Sequence, residues 1–343
     1  MTTFKRYLFY RIENSALRML VFSILSIMLT QTVLIESIDN VDVQYCSSGL
    51  YIFAVILGIF ASIIPILELS GFKNRRNLDT LYFFPINREK MAIAHYISGF
   101  FQVTVIYTAT YVSGFVFLAS QTDFFALGYM IPYYFLSLLL GLVIYSVFMF
   151  IFTQANSVAD GVLFCLLWIF VISFVGHTLL DVIYPAIDGE DMIGIQGVWR
   201  SASRLADWGI VYKPINDLTI LYQDAIEINN PAAWNSYIPR IRENSYMFFV
   251  WGVIGLAAAV GFIISFARKG AEKAGEISNS WFGYKLLIPV YGYCIMFQSI
   301  SIFITIVMMI IGYIIYRRGF KFKKSDIILT AAGLAPVLIN SIM

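Results

Sequence analysis

The chain is a series of apolar runs about twenty residues long, and few folds can accommodate such a series. Runs at about 17–37, 49–69, 94–118, 129–152, 161–184 and 245–267 each reach the length an α-helix needs to cross a bilayer. Backbone amides cannot sit unpaired in hydrocarbon, so these runs are expected to be helical spans. Composition agrees: only 13% of residues are charged, against about 25% in soluble domains. The expected class is an all-α polytopic membrane protein with six spans. The first run is too long for a signal-peptide core and lacks a small-residue cleavage site, so it is read as a retained span. The three cysteines, Cys46, Cys165 and Cys294, lie far apart and form neither a disulfide framework nor a zinc spacing.

Residues 1–15 set Phe4, Tyr7 and Leu8 against Lys5, Arg6 and Arg11, the pattern of an amphipathic helix lying on the membrane surface. With the N-terminus inside, 18 of the 23 basic residues fall on the cytoplasmic side. The other five (Arg200, Arg204, Lys213, Arg240 and Arg242) lie in one long outer loop, 185–244. Loops of that length translocate largely regardless of charge. This loop holds Trp199, Trp208 and Trp234, and 216–228 is its best helical candidate. The domain reading is therefore an interfacial helix (1–15), spans one to five (16–184) with a cytoplasmic segment at 72–90, the outer loop (185–244), and a C-terminal part (245–343).

The C-terminal part poses a topological problem. Residues 268–285 and 317–324 are both basic and both belong inside, so 286–316 must cross an even number of times. Thirty-one residues are too few for two ordinary spans. A re-entrant helical hairpin turning near Gln298 and Ser299 satisfies the rule, and a last apolar helix follows at 325–342. One plain span with a mis-sided basic segment is the alternative.

Several chemistries lack their residues. There is no Gly-x-x-x-x-Gly-Lys-Ser/Thr phosphate loop and no His-Glu-x-x-His pair, and His95 and His177 are the only histidines. Asn156 and Ser157 have no nearby histidine in sequence to support a serine nucleophile. Ionisable residues in the spans are few: Glu68 and His95 at inner ends, His177 and Asp181 one turn apart at the outer end of the fifth. This scarcity counts against an ion-coupled secondary transporter. His177 and Asp181 are read as a polar patch at an outer vestibule or as interfacial anchors. The 30 Phe and 22 Tyr form an aromatic belt, or line a path for an amphiphilic substrate.

The segment FKNRRNLDTLYFFPINREK (72–90) follows the second span. It reads as a short helix, a Pro-marked break and a new helix start. From here the chain resembles the membrane subunit of a type-2 ABC exporter. RRNLDTLYFFPINREKMAIAHYISG is similar to that family's short helix, Leu-Pro-like break and basic start of the third span; here the break is Phe84-Pro85-Ile86. Lys-Pro-Ile at 213–215 resembles a Ser-Pro-Ile of relatives. RKGAEKAGEIS (268–278), through Glu272 to Gly275, and MIIGYIIYRRGFKF (309–322) resemble stretches of a Gram-positive subgroup. The region between those two motifs is compressed, and the chain ends in an apolar run, so a shortened member is expected.

The resemblance implies six spans of type-2 exporter topology, a bacterial cell membrane, and dimerisation with a second copy or a paralogue. It also implies no directly bound cofactor: ATP and magnesium would sit on separate ATPase subunits. Those subunits would dock on residues 74–85, with Arg75, Arg76 and Asp79 as polar contacts, Leu78, Leu81 and Tyr82 as apolar ones, and Pro85 and Arg88 closing the segment. A second contact is expected at the turn 154–161, which has no Lys or Arg. Nucleic acid has no place in this reading. The rival readings are a non-transporting membrane scaffold or sensor that binds an ATPase or kinase, and, less favoured, a polytopic membrane enzyme or secondary transporter.

Overall fold

The computed structural model describes residues 3–39, 51–74, 86–121, 127–169, 171, 231–270, 274–297, 302–320, 323–328 and 330–331. Those residues are almost entirely helical and include no strand. The helices are α1 (Thr3–Asn14), α2 (Ala16–Asp39), α3 (Tyr51–Leu69), α4 (Arg88–Gln121), α5 (Leu127–Gln154), α6 (Val158–Ile169), α7 (Pro231–Arg268), α8 (Leu286–Phe297) and α9 (Ile302–Arg317). Five of them (α2, α3, α4, α5 and α7) are long and apolar enough to cross a membrane. Of the expected span 161–184, only 161–169 and 171 are described.

Two boundaries differ from expectation. Helix α7 starts at Pro231, inside the stretch read as outer loop, and runs 38 residues. At 1.5 Å per residue that is roughly 57 Å, well beyond the ~30 Å apolar core. Proline suits a first helical position, where its missing N–H costs nothing; the apolar pattern marked only the membrane-length part of the helix. Helix α4 likewise begins at Arg88, six residues before the apolar run.

The chain divides into two compact units. The first holds α1 to α4, α5 up to Phe150, and α7 up to Lys269. Helix α4 is its centre and packs against α1, α2, α3 and α7. Between helices in lipid, burying apolar surface gives little drive, so close approach and interhelical hydrogen bonds hold the packing. Ser26 pairs with Thr110 at 2.6 Å, Gln31 donates to Ser113 Oγ at 2.9 Å, and Tyr107 meets Ser137 at 2.6 Å. The opposite face of α2, with Leu17, Leu20, Ile24 and Met28, is exposed and entirely apolar.

The second unit contains the end of α5, α6 and the chain from Gly270 on. Here α8 and α9 pack antiparallel, with Gly292 against Met309 and Gly312 against Ile288. They have 12 and 16 residues, about 18 and 24 Å at 1.5 Å per residue, so neither spans the apolar core alone. After α9 the backbone turns at Arg318 (φ 51°) and Gly319 (φ 157°), and Arg317 then grips Asp326 through three hydrogen bonds of 2.7 to 3.0 Å.

Two glycines of α7 separate packing from composition. A Cβ on Gly255 would lie 2.8 Å from Val143 Cγ2 and 3.1 Å from its Cα, whereas one on Gly252 would meet nothing within 4 Å. Backbone cannot yield as a side chain does. Gly255→Ala should therefore cost about 1–3 kcal/mol, while Gly252→Ala, which gains helix propensity, should be neutral or stabilising. Unfolding of both variants in detergent micelles checks this.

Candidate functional site

Glu68 lies in the last turn of α3, just after Pro65. A carboxylate is poorly placed there, because the C-terminal end of a helix carries partial negative charge. Its side chain is nonetheless 0% exposed, which demands full compensation. Four groups supply it. Arg11 Nη2 donates to Oε2 at 2.7 Å, and Arg18 Nη2 to Oε1 at 2.5 Å. Gln102 Nε2 donates to Oε1 at 2.7 Å, and His95 Nδ1 lies 3.1 Å from Oε2.

Sequence spacing explains how these groups converge. Arg11 and Arg18 stand seven residues apart across the junction of α1 and α2, where Ser15 donates to the Ile12 carbonyl at 2.8 Å. His95 and Gln102 are likewise seven apart, two turns on one face of α4. Arg18 Nη2 also reaches Gln102 Oε1 at 2.6 Å, so the amide bridges guanidinium and carboxylate.

The cluster extends outward through His95. A carboxylate accepts only, so a neutral His95 must carry its proton on Nδ1, which leaves Nε2 to accept from the Tyr7 hydroxyl at 2.9 Å. Burial pushes Tyr7 up to about 12, so Tyr7 keeps its proton at neutral pH. Helix α1 is thus tied to α3 through Arg11 and to α4 through Tyr7. Arg11 therefore faces the protein, not the solvated side with Lys5 and Arg6 that amphipathic patterning suggested.

Gly99 makes the approach possible. A Cβ there would lie 2.2 Å from the Tyr145 hydroxyl and 3.1 Å from Glu68 Cγ. Tyr145 from α5 uses that gap to donate to the Tyr96 carbonyl at 3.1 Å, while Tyr96 pairs with Ser146 at 2.6 Å.

In the second unit the turn 154–157 has partners from its own chain. Gly275, with φ at 78°, donates to the Asn156 carbonyl at 2.8 Å. Ser278 Oγ accepts from Asn156 N and donates to Asp160, each at 2.7 Å. Tyr284 donates to the other Asp160 oxygen at 2.8 Å, and Ser280 to Gln154 at 2.9 Å. The buried Lys73 ammonium donates to the Ala155 carbonyl and, at 3.3 Å, to that of Thr153. The turn lacks cations in sequence because Lys73 supplies one. Ala155 and Asn156 are buried, whereas Val158 and Ala159 are exposed.

Of the predicted docking residues, Arg75, Arg76, Leu78, Asp79, Leu81, Tyr82 and Pro85 lie outside the described residues, as do His177 and Asp181. Arg88 opens α4 and donates to the Lys269 carbonyl at 3.1 Å. The Glu68 cluster was missed by sequence reasoning, although its signal was present: a Glu and a His inside apolar runs, and an Arg three residues into another. Among the described residues no three His, Cys, Asp or Glu side chains converge as a metal ion would require.

The described residues define, in class, a helical protein with helices long and apolar enough to cross a membrane, in which four helices meet at a buried carboxylate–guanidinium cluster. No family model matches the sequence, and a comparison with curated proteins gives no match either.

Removing the Glu68 charge leaves two guanidiniums facing each other in a buried site. Glu68→Gln should destabilise the protein by roughly 3–5 kcal/mol, as expected when one partner of a buried ion pair is deleted. Combining it with Arg18→Gln should cost less than the sum of the single losses, because the variants share one interaction. Chemical denaturation of the three variants in micelles measures both.

Proposed function

We propose that this chain is the permease subunit of an ATP-driven exporter, moving an amphiphilic or hydrophobic substrate across a bacterial cell membrane. Separate ATPase subunits, binding ATP and magnesium, dock on residues 74–85 from the cytoplasm, and a second copy or a paralogue completes the pathway. The N-terminus lies on the ATPase side. The reading is supported first by the likeness of 75–99 to the type-2 exporter pattern.

The observation that carries it is what the residues on either side of that segment contact. Before it, Lys73 is anchored on carbonyls at the end of α5. After it, Arg88 is anchored on the carbonyl of Lys269, just past the end of α7. Both contacts place a cation at a helix C-terminus, where the macrodipole favours it. Each flank of 74–85 thus ends on a helix C-terminus, which suits a segment that couples to the spans. The test is reconstitution with a candidate ATPase subunit. Asp79→Lys and Leu81→Arg should each abolish complex formation and ATPase stimulation; an intact complex with either variant removes docking from this segment.

A second reading, ion-coupled secondary transport, gains from the Glu68 cluster, since ionisable groups are buried in the spans after all. The cluster fits it less well: Glu68 is already matched by two guanidiniums, an arrangement suited to holding helices together. Substrate flux driven by a proton or sodium gradient in liposomes lacking any ATPase would favour this second reading.

A further inference from the structure

The Glu68 cluster holds more positive charge than the protein uses. Two guanidiniums face one carboxylate, and every hydrogen bond of Arg11 and Arg18 to a described residue runs through Nη2. Both Nε atoms are buried without a partner, and neither Nη1 donates to a described residue, which leaves Nη1 as the group each arginine can offer. The carboxylate is sealed at 0% exposure, yet the Arg11 and Arg18 side chains keep 18% and 27%. The surplus charge therefore has an open side.

Its surroundings indicate what lies on that side. Arg18 is the third residue of α2, roughly 3–5 Å along the axis from the helix start. Glu68 lies five residues before Lys73, the last residue of its apolar span. Both positions therefore lie within about 8 Å of an end of their apolar helices, close to where such helices leave the apolar core. Val21 and Leu25, three and seven residues after Arg18, share its face of α2 and are each 50% exposed. Tyr10 on α1 is 52% exposed. An anion held by the two arginines would thus have an apolar track running into the membrane below it.

We infer that Arg11 and Arg18 form a phosphate-binding site at the membrane surface, occupied by the phosphodiester of an anionic lipid whose acyl chain lies along Val21 and Leu25. Free inorganic phosphate shares the recognition chemistry, since guanidinium forks match its oxygens. The site requires only that the helices be membrane-embedded and is independent of the ATPase.

The test is native mass spectrometry of the full chain, delipidated and then titrated with phosphatidylglycerol or phosphatidylcholine, with and without millimolar inorganic phosphate. The wild type should retain phosphatidylglycerol in preference to phosphatidylcholine. Arg11→Gln and Arg18→Gln should each weaken retention about fivefold, the worth of one cation near anionic lipid. Lys5→Gln/Arg6→Gln removes two charges from exposed positions of α1 and should weaken retention less than either single arginine variant. Glu68→Gln should strengthen retention even as it destabilises the fold, an opposite movement that a purely structural role for the arginines would not produce. Competition by inorganic phosphate would keep the site and assign it to a free anion. A wild type indifferent to headgroup charge and to phosphate would overturn the inference. So would a folded Arg18→Gln variant that retains phosphatidylglycerol like the wild type.

Discussion

A carboxylate on the last turn of an apolar helix is unfavourable in two ways at once. It is desolvated, and it faces the negative end of the helix that carries it. Glu68 survives there because Arg11, Arg18, Gln102 and His95 converge on it within 3.1 Å. Much of the first unit follows from that requirement. Helix α1 must lie where Arg11 and Tyr7 can reach inward, and α2 must start close enough to α3 for Arg18. Helix α4 must turn the His95–Gln102 face to the carboxylate, and Gly99 lets it come close enough. Mutual dependence of this kind is what a buried ionic network imposes: with one member missing, the others become uncompensated charges.

The same logic, in weaker form, assigns other cations. Lys73 and Arg88 were expected inside from the charge pattern, and each also meets carbonyls at a helix C-terminus. Charge pattern and hydrogen-bond satisfaction are not competing explanations here. A cation at a membrane-proximal helix end serves both, because the orphan carbonyls of the last turn need donors wherever the helix leaves the bilayer. Counting basic residues gives a side of the membrane but does not tell which of them remain available to a partner.

The spans were legible in sequence because hydrocarbon imposes both length and apolarity, and α2, α3, α5 and the apolar part of α7 fall where their runs predicted. Helix α7 was legible only in part, since its first fourteen residues carry no membrane constraint and read as loop. The Glu68 cluster was harder. Its members come from four helices and up to 91 residues apart in sequence (Arg11 to Gln102), and no local period encodes such a meeting. The clue was misplacement: Glu68, His95 and Arg18 each offend an apolar run, and residues that offend singly often pair. Arg11 gave no such clue, since on a surface helix a cation is unremarkable. Gly275, by contrast, was noticed through a family-like motif, and its backbone at φ 78° supplies the physical reason for glycine there.

Under the exporter reading, the contacts beside residues 74–85 and the clamp on Glu68 would bear on different parts of a transport cycle. Coupling then needs one segment that moves and others that do not shear against each other. The clamp joins α1, α2, α3 and α4 through charged hydrogen bonds in a low-dielectric setting, where separating them is most costly. Those helices are therefore expected to move as one body. Helix α7 joins this body through packing, by Phe262 against Tyr96 at 6.0 Å and Phe266 against His95 at 6.5 Å, and through the exposed Arg88 contact. Apolar packing and one exposed hydrogen bond yield more readily than a buried ion network. If any element of the first unit slides during turnover, the balance of interactions selects α7.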